Sequence, residues 1–422
     1  KRSSKGSHVG AGGILVVVLD DDCHDHIAQR MGSGLDFHDL ARYGRMNRSR
    51  NGGGVIADLL THSYIITDRN QRLAGCADVL CHRNNDLRRR GYDDYRFIRS
   101  LRLREAGIVG MGGAMFPTAF KIRGGLGKVD TLIINGAECE PYLNGDHWTM
   151  KLHPEELLKG IELARIASGL DKAYYGIEKN KMDAIELLNS KNPAQYGVEI
   201  VPEEVKYPQG AEKMQIKAIT NREVKPGGLP AGVGCNVIST QTAYAIYQAC
   251  YLGIPCIERI LTVGGSAVDK PHNLQCRIGT PFSYIAEHCG GFIKTPKKIV
   301  LGGPMMGLIA TSLDAVNIKG TAGILFFTEE EDKTVENPTC IRCGKCITVC
   351  PMGLEPVYMY MYFKKGDFEN MKKYHILDCF ECGSCSYNCP GRMPLTHSFK
   401  TAKLLFAKKA ADEKARAEAA AK

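Results

Sequence analysis

Nowhere in its 422 residues does the chain hold an uninterrupted apolar run of the ~18 residues that span a bilayer. The early run 13–19 is too short and meets Asp20, Asp21 and Asp22, so no direct membrane span is expected and any membrane association is peripheral. Proline and glutamate are absent from residues 1–104, which carry 16 Arg, 2 Lys and 12 Asp, whereas residues 105–422 carry 8 Arg, 29 Lys and all 18 Pro. Arg for Lys and Asp for Glu switch together, which reads as an Arg-rich domain or, better, as sequence out of its natural register. Residues 1–104 are therefore left unassigned. The cluster Arg88, Arg89, Arg90, Arg96, Arg99, Arg102 and Arg104 lies in no recognisable binding module, so it reads as a solvated basic face and nucleic acid is not an expected partner.

What is present is globular: 44% hydrophobic and 24% charged residues exclude global disorder, and the length predicts two to four domains. The net charge of +9 suits an acidic partner, anionic lipid or nucleotide equally. From Glu105 the fold class is α/β. Runs at 131–134, 198–201 and 259–263 predict strands, and helical patterns at 154–168 and 181–190 alternate with them, as in βαβ units. This gives a layered α/β domain over 105–255 and a small mixed α+β module with linker over 256–330. A cysteine-rich domain follows over 331–395, then a helical tail over 396–422 rich in Ala, Lys and Glu.

No secretory leader is recognisable, which argues against reading the 17 cysteines as disulfides. Eight of them form two copies of C-x2-C-x2-C-x3-C-P: Cys340, Cys343, Cys346 and Cys350 before Pro351, and Cys379, Cys382, Cys385 and Cys389 before Pro390. A 4Fe-4S cube needs four thiolates, and two-residue spacers let one loop supply three. Structural zinc favours two pairs across a longer spacer, so two 4Fe-4S clusters are expected. In two-cluster ferredoxins the last cysteine of each run serves the other cube. That assigns Cys340, Cys343, Cys346 and Cys389 to one cluster and Cys379, Cys382, Cys385 and Cys350 to the second. The other nine cysteines lack ligand spacing and read mostly as small core residues.

A glycine-rich stretch, Gly107 to Thr118, offers backbone amides that suit a phosphate, yet it matches neither the dinucleotide fingerprint nor a P-loop. Next comes a strand ending in Asn135-Gly136-Ala137-Glu138-Cys139-Glu140-Pro141, an amide and two carboxylates where open α/β sheets bind ligands. Carboxylates beside an Asn suit ribose hydroxyls, and Lys121 suits phosphate charge. A solvated acidic turn is the competing reading.

The glycine loop, Asn-Gly-Ala-Glu-Cys-Glu-Pro, Gly302-Gly303-Pro304-Met305-Met306-Gly307 and the two cysteine runs occur in that order. In this the chain resembles the C subunit of Rnf ion-translocating oxidoreductase complexes over about 105–405, and more distantly the FMN- and NADH-binding flavoprotein of respiratory complex I. The resemblance implies an FMN/NADH domain at 105–255, a β-grasp-like ligand-binding module within 256–330 and a ferredoxin-like domain at 331–395. It implies that Gly110, Gly112 and Gly113 pack on FMN, that Lys121 meets its phosphate, and that Asn135 and Glu138 contact the flavin. Phe116 and Glu140 would face the nicotinamide. A loop at 207–213 implies Gly210 and Glu212, with Ala211 replacing an acid, and Ser239 is the counterpart of an asparagine on a loop before a helix. Residues 1–104 show none of the family's Asp-Gly and Pro-Val-His pattern.

The implied activity is NADH oxidation, or NAD reduction, passing electrons between NADH, FMN and two 4Fe-4S clusters, with no residue assigned as a catalytic acid or base. The implied partners are the other members of a membrane complex, including a ferredoxin-like one, and ferredoxin indirectly. The implied place is the cytoplasmic face of a bacterial or archaeal membrane. A soluble flavin and iron–sulfur cobalamin reductase of a diol-degrading microcompartment has the same domains, and an electron wire without flavin is a third reading.

Overall fold

The computed structural model describes residues 16–19 and 102–420. The basic cluster up to Arg99, and Cys23, Cys76 and Cys81, lie outside the described residues. One strand, β1 (Val16–Leu19), belongs to the otherwise unassigned amino-terminal segment.

The first layer is a parallel sheet of β2 (Thr131–Gly136), β3 (Ala173–Glu178), β4 (Val198–Glu203) and β5 (Cys235–Ser239), in the order β4-β3-β2-β5. Central β2 buries Leu132, Ile133 and Ile134 completely, because a parallel strand between helices has two apolar faces. The predicted strands at 131–134 and 198–201 are thus present. Helix Pro154–Ala167 follows the expected span: Pro opens it, Glu155 and Glu156 sit in its first turn and Arg165 in its last. It buries Leu157, Leu158, Ile161 and Ala164 in the same core as Ala243 and Ile246 of helix Thr240–Tyr247. Gly160 makes that crossing possible, since a Cβ there would stand 2.0 Å from the Ala243 carbonyl oxygen.

The second layer is a mixed sheet with β6 (Glu258–Gly264), β7 (His272–Arg277), β8 (Lys298–Leu301), β9 (Leu308–Ala310) and β10 (Gly323–Phe327), in the order β1-β7-β6-β10-β8-β9. β10 runs parallel to β6 and antiparallel to β8. Helix Phe282–His288 packs Phe282, Ile285 and Ala286 onto Leu261, Val263 and Phe326. β1 pairs antiparallel with β7, so a segment left without a role supplies an outer strand of this sheet.

The third body is helical. Pro356–Lys365, Phe368–Lys373 and the long helix Leu395–Ala420 close a small core of Met359, Met371, Ile376 and Phe399. The two cysteine runs repeat one backbone course: Arg342 and Glu381, then Gly344 and Gly383, then Gly353 and Arg392 all adopt positive φ at matching places.

Candidate functional site

The glycine loop folds back on itself, Gly110 N–H donating to the Phe116 carbonyl at 2.8 Å. It is anchored where Met111 N–H donates to Thr242 Oγ1 at 2.9 Å. Gly112 lies on Ser239, whose Oγ is 2.8 Å from Thr242 Oγ1, so two predicted residues meet in one corner. At Gly113 (φ +112°) a Cβ would face open space, and Phe116 is 54% exposed. The loop therefore presents an open face beside the ends of β2 and β5.

Lys121 joins Glu212, its Nζ 2.6 Å from Oε1, and donates also to the Val237 carbonyl at 2.8 Å. Asn135 Nδ2 donates to the Gly210 carbonyl at 2.8 Å, and its Oδ1 accepts from Ala137 N–H. Nine predicted residues, Gly110, Gly112, Gly113, Phe116, Lys121, Asn135, Gly210, Glu212 and Ser239, thus gather at the strand ends. Ser239 stands at the end of β5 rather than on a loop, because Cys235 to Ile238 are buried between β2 and helix 240–247.

The two remaining acids are engaged elsewhere. Glu138 accepts from Asp146 and His147 N–H at the start of helix Gly145–Leu152, and burial raises its carboxyl well above the ordinary range, with the Asp146 charge adding to this. Glu140 accepts from Met305 N–H at 3.0 Å and Met306 N–H at 2.8 Å, binding the strand-end loop to the glycine motif after β8. Beside these acids opens a cavity of about 480 Å³ lined by Cys139, Glu140, His147, Lys181 and Tyr207, within the range of small-molecule pockets. Lys181 and Glu178 form a buried pair there at 3.4 Å. Neither had a sequence signal, since the pattern that marks helix 182–190 says nothing about a buried charge at its entry.

The cysteines of the two runs differ in their surroundings. Cys350, Cys379, Cys382 and Cys385 line one apolar cavity with Leu354, Met359 and Phe399. Cys346 and Cys389 pack against the same small core, close enough that the charge of one thiolate opposes the other. Cys340 and Cys343 are exposed. Backbone amides already point at sulfur: Leu354 N–H to Cys350 Sγ at 3.3 Å, Glu381 N–H to Cys379 Sγ at 3.3 Å, and Met393 N–H to Cys389 Sγ at 3.4 Å. Burial pushes the Cys379 thiol up to about 12 and Cys385 up to about 11, so a cationic iron group must displace their protons. Four cysteines line one cavity, and backbone amides meet the sulfurs of two of them, Cys350 and Cys379; this is the donor chemistry of an iron–sulfur cluster, although among the described residues no three side chains already stand in metal-holding geometry. Of the other cysteines, Cys235, Cys256, Cys276 and Cys289 are buried and Cys139 and Cys250 half-buried.

Residues 103–248 match the Nuo51 FMN-binding domain, 260–309 the SLBB domain and 333–390 a 4Fe-4S dicluster domain. The chain is 43% identical over 299 residues to the C subunit of the Na(+)-translocating ferredoxin:NAD(+) oxidoreductase complex of Acetobacterium woodii, covering 71% of this chain and 68% of that relative. It belongs to the Rnf C-subunit family. The proton-translocating relative of Clostridium ljungdahlii is 43% identical over 278 residues (65% of this chain), and the ion-translocating relative of Rhodobacter capsulatus is 41% identical over 303 residues (71% of this chain). The alignments span 61% and 58% of those two relatives. An NAD+-reducing [NiFe]-hydrogenase crystal structure in the H2-reduced state shares the fold with a TM-score of 0.50 at 21% identity, over 70% of this chain and 52% of that one.

As a member of the Rnf C-subunit family, the chain is an oxidoreductase with an FMN-binding domain and a 4Fe-4S dicluster domain. Its mixed sheet carries the SLBB module. Among the described residues no helix is long and apolar enough to cross a membrane. Sequence reasoning missed Tyr207, whose hydroxyl donates to the Cys382 carbonyl and so joins the Gly210 loop to the second cysteine run. A contact across 175 residues leaves no local pattern.

Proposed function

We propose that this protein forms the nicotinamide–flavin–cluster arm of a membrane-bound ion-translocating complex, exchanging electrons between NAD(H) and a ferredoxin-linked partner. The observation that carries the proposal is spatial. The corner of Gly110, Gly112, Ser239, Lys121 and Asn135 and the cavity of Cys350, Cys379, Cys382 and Cys385 are held together by Tyr207 and by the Met305–Met306 loop. When bound, FMN accepts a hydride and releases electrons singly, which cluster chemistry requires.

The chain's residues bind and orient. Gly113 and Phe116 leave a face open for a flat ring system. Lys121 lies beside the β5 end, where a phosphate would compete with Glu212 for its ammonium, and Asn135 fixes the Gly210 loop whose backbone borders the site. Cys379, Cys382, Cys385 and Cys350 form one ligand set, which their shared cavity supports, and Cys340, Cys343, Cys346 and Cys389 form the other. The complex's other subunits and its ferredoxin-like member are the protein partners, with peripheral attachment at the cytoplasmic face.

Anaerobic holoprotein tests this directly. NADH is expected to bleach the bound flavin, and pre-reduced low-potential ferredoxin is expected to bleach it as well, whereas cob(II)alamin is not expected to reoxidise it. Flavin that stays oxidised in excess NADH overturns the proposal.

A further inference from the structure

We infer that the cluster held by Cys350, Cys379, Cys382 and Cys385 is the inner one, exchanging electrons with the flavin, and that the cluster of Cys340, Cys343, Cys346 and Cys389 is the outer one, facing the protein partner. The inference rests on the functional reading above and adds to it the order of the carriers.

Contacts from the first two layers converge on the second cysteine run. Tyr207, on the loop that also carries Gly210, donates its hydroxyl to the Cys382 carbonyl. Gly383, the next residue, lies so close to Met305 that a Cβ on it would stand 2.5 Å from the Met305 carbonyl oxygen. Met305 is itself fixed by Glu140, on the loop that follows the strand carrying Asn135. Gly303 lies against the same carboxylate, a Cβ there falling 2.1 Å from Oε2. Gly227 N–H donates to Asp378 Oδ1 at 3.1 Å, immediately before Cys379. Lys400 Nζ, from the long carboxy-terminal helix, donates to the Met306 carbonyl at 3.0 Å.

The first run is placed differently. Cys340 and Cys343 are exposed and Ile341 between them is 65% exposed, whereas Cys382 and Cys385 are buried. Electron transfer between proteins needs a carrier near the surface, and transfer within one needs a carrier shielded beside its donor. The two runs meet these needs separately.

Each transfer moves one electron. Reduced flavin is oxidised by one electron as the inner cluster is reduced by one; the inner cluster is reoxidised as the outer one is reduced, and the outer one passes its electron to a one-electron acceptor protein. The second electron follows, so each NADH is oxidised to NAD+ with one net proton released to solvent. Glu140 and Tyr207 are positioning residues in this order: Tyr207 holds the Cys382 carbonyl, and Glu140 holds Met305 against Gly383.

The test uses full-length holoprotein, freeze-quench EPR and two variants, Cys385→Ser and Cys343→Ser, with flavin reduced by NADH or by light. In Cys385→Ser the remaining cluster signal is expected to appear with dithionite but to be lost from the first turnover after flavin reduction. In Cys343→Ser the remaining signal still appears in that turnover. The reverse pattern overturns the order. Where a variant assembles no cluster, wild type suffices with a dysprosium chelate as a soluble relaxation agent: the first signal to appear is expected to be insensitive to the chelate, and a chelate-sensitive first signal contradicts the inference. Flavin bleached by light but not by NADH would refute the nicotinamide reading while leaving the order readable. Tyr207→Phe is expected to shift the midpoint potential of the inner signal alone; a shift confined to the other signal assigns Tyr207 to the wrong cluster.

Discussion

Glu203 shows how a single buried side chain sets a property that can be measured. It is 5% exposed and accepts from Gln209 Nε2 at 3.2 Å and Gln215 Nε2 at 2.7 Å. Burial raises its carboxyl from the ordinary 4.5 to about 7, so between those values the folded chain keeps a proton that the unfolded chain has released. The stability linked to this group is present in full below the ordinary value and is lost as pH rises toward 7, by at most about 3 kcal/mol. Glu203→Gln is therefore expected to flatten the fall in Tm between pH 5 and 7 by removing this slope, as thermal melts would record; parallel curves for both proteins would contradict it. Lys121 offers a second case. Lys121→Met removes the ammonium beside Glu212 and the Val237 carbonyl and is expected to weaken flavin retention by about 10- to 100-fold, the range of a charged hydrogen bond. Titration followed by flavin fluorescence measures this.

At the level of elements, the crossing of helices 154–167 and 240–247 depends on Gly160 having no side chain. Gly160→Ala places a methyl against the Ala243 carbonyl and is expected to destabilise the chain by about 1–3 kcal/mol despite the better helix propensity of alanine, read from the denaturant midpoint. Helix 154–167 and strand β2 were legible in the sequence because local rules wrote them: Pro154 with Glu155 and Glu156 opens one, and an apolar run before Asn135 forms the other. β3 and β5 were not, since Gly176 and Asn236 interrupt their patterns and parallel pairing with β2 comes from distant sequence. The cysteine runs stood out because short spacers encode them. Glu140 had a loop signal, yet its partners Met305 and Met306 lie 165 and 166 residues away, beyond any local pattern.

Across the whole molecule, the helical body has little core of its own around Met359, Met371, Ile376 and Phe399, and eight cysteines stand in and around it. Iron–sulfur ligation is therefore expected to supply much of its stability. Chelating iron from holoprotein should raise hydrogen exchange across 333–390 while the sheet of β2 to β5 keeps its protection; uniform protection before and after would contradict this. The three bodies meet at one junction, Glu140 with Met305 and Met306, Met305 against Gly383, and Tyr207 with Cys382. In the proposed function that junction holds the flavin-binding and cluster-binding bodies together, as coupling two-electron to one-electron chemistry requires. The most direct measurement is an anaerobic NADH titration of holoprotein followed by flavin absorbance and low-temperature EPR together. The account predicts that flavin bleaches and that two cluster signals then grow; clusters that dithionite reduces but NADH never reaches, with flavin bleached or absent, would contradict it.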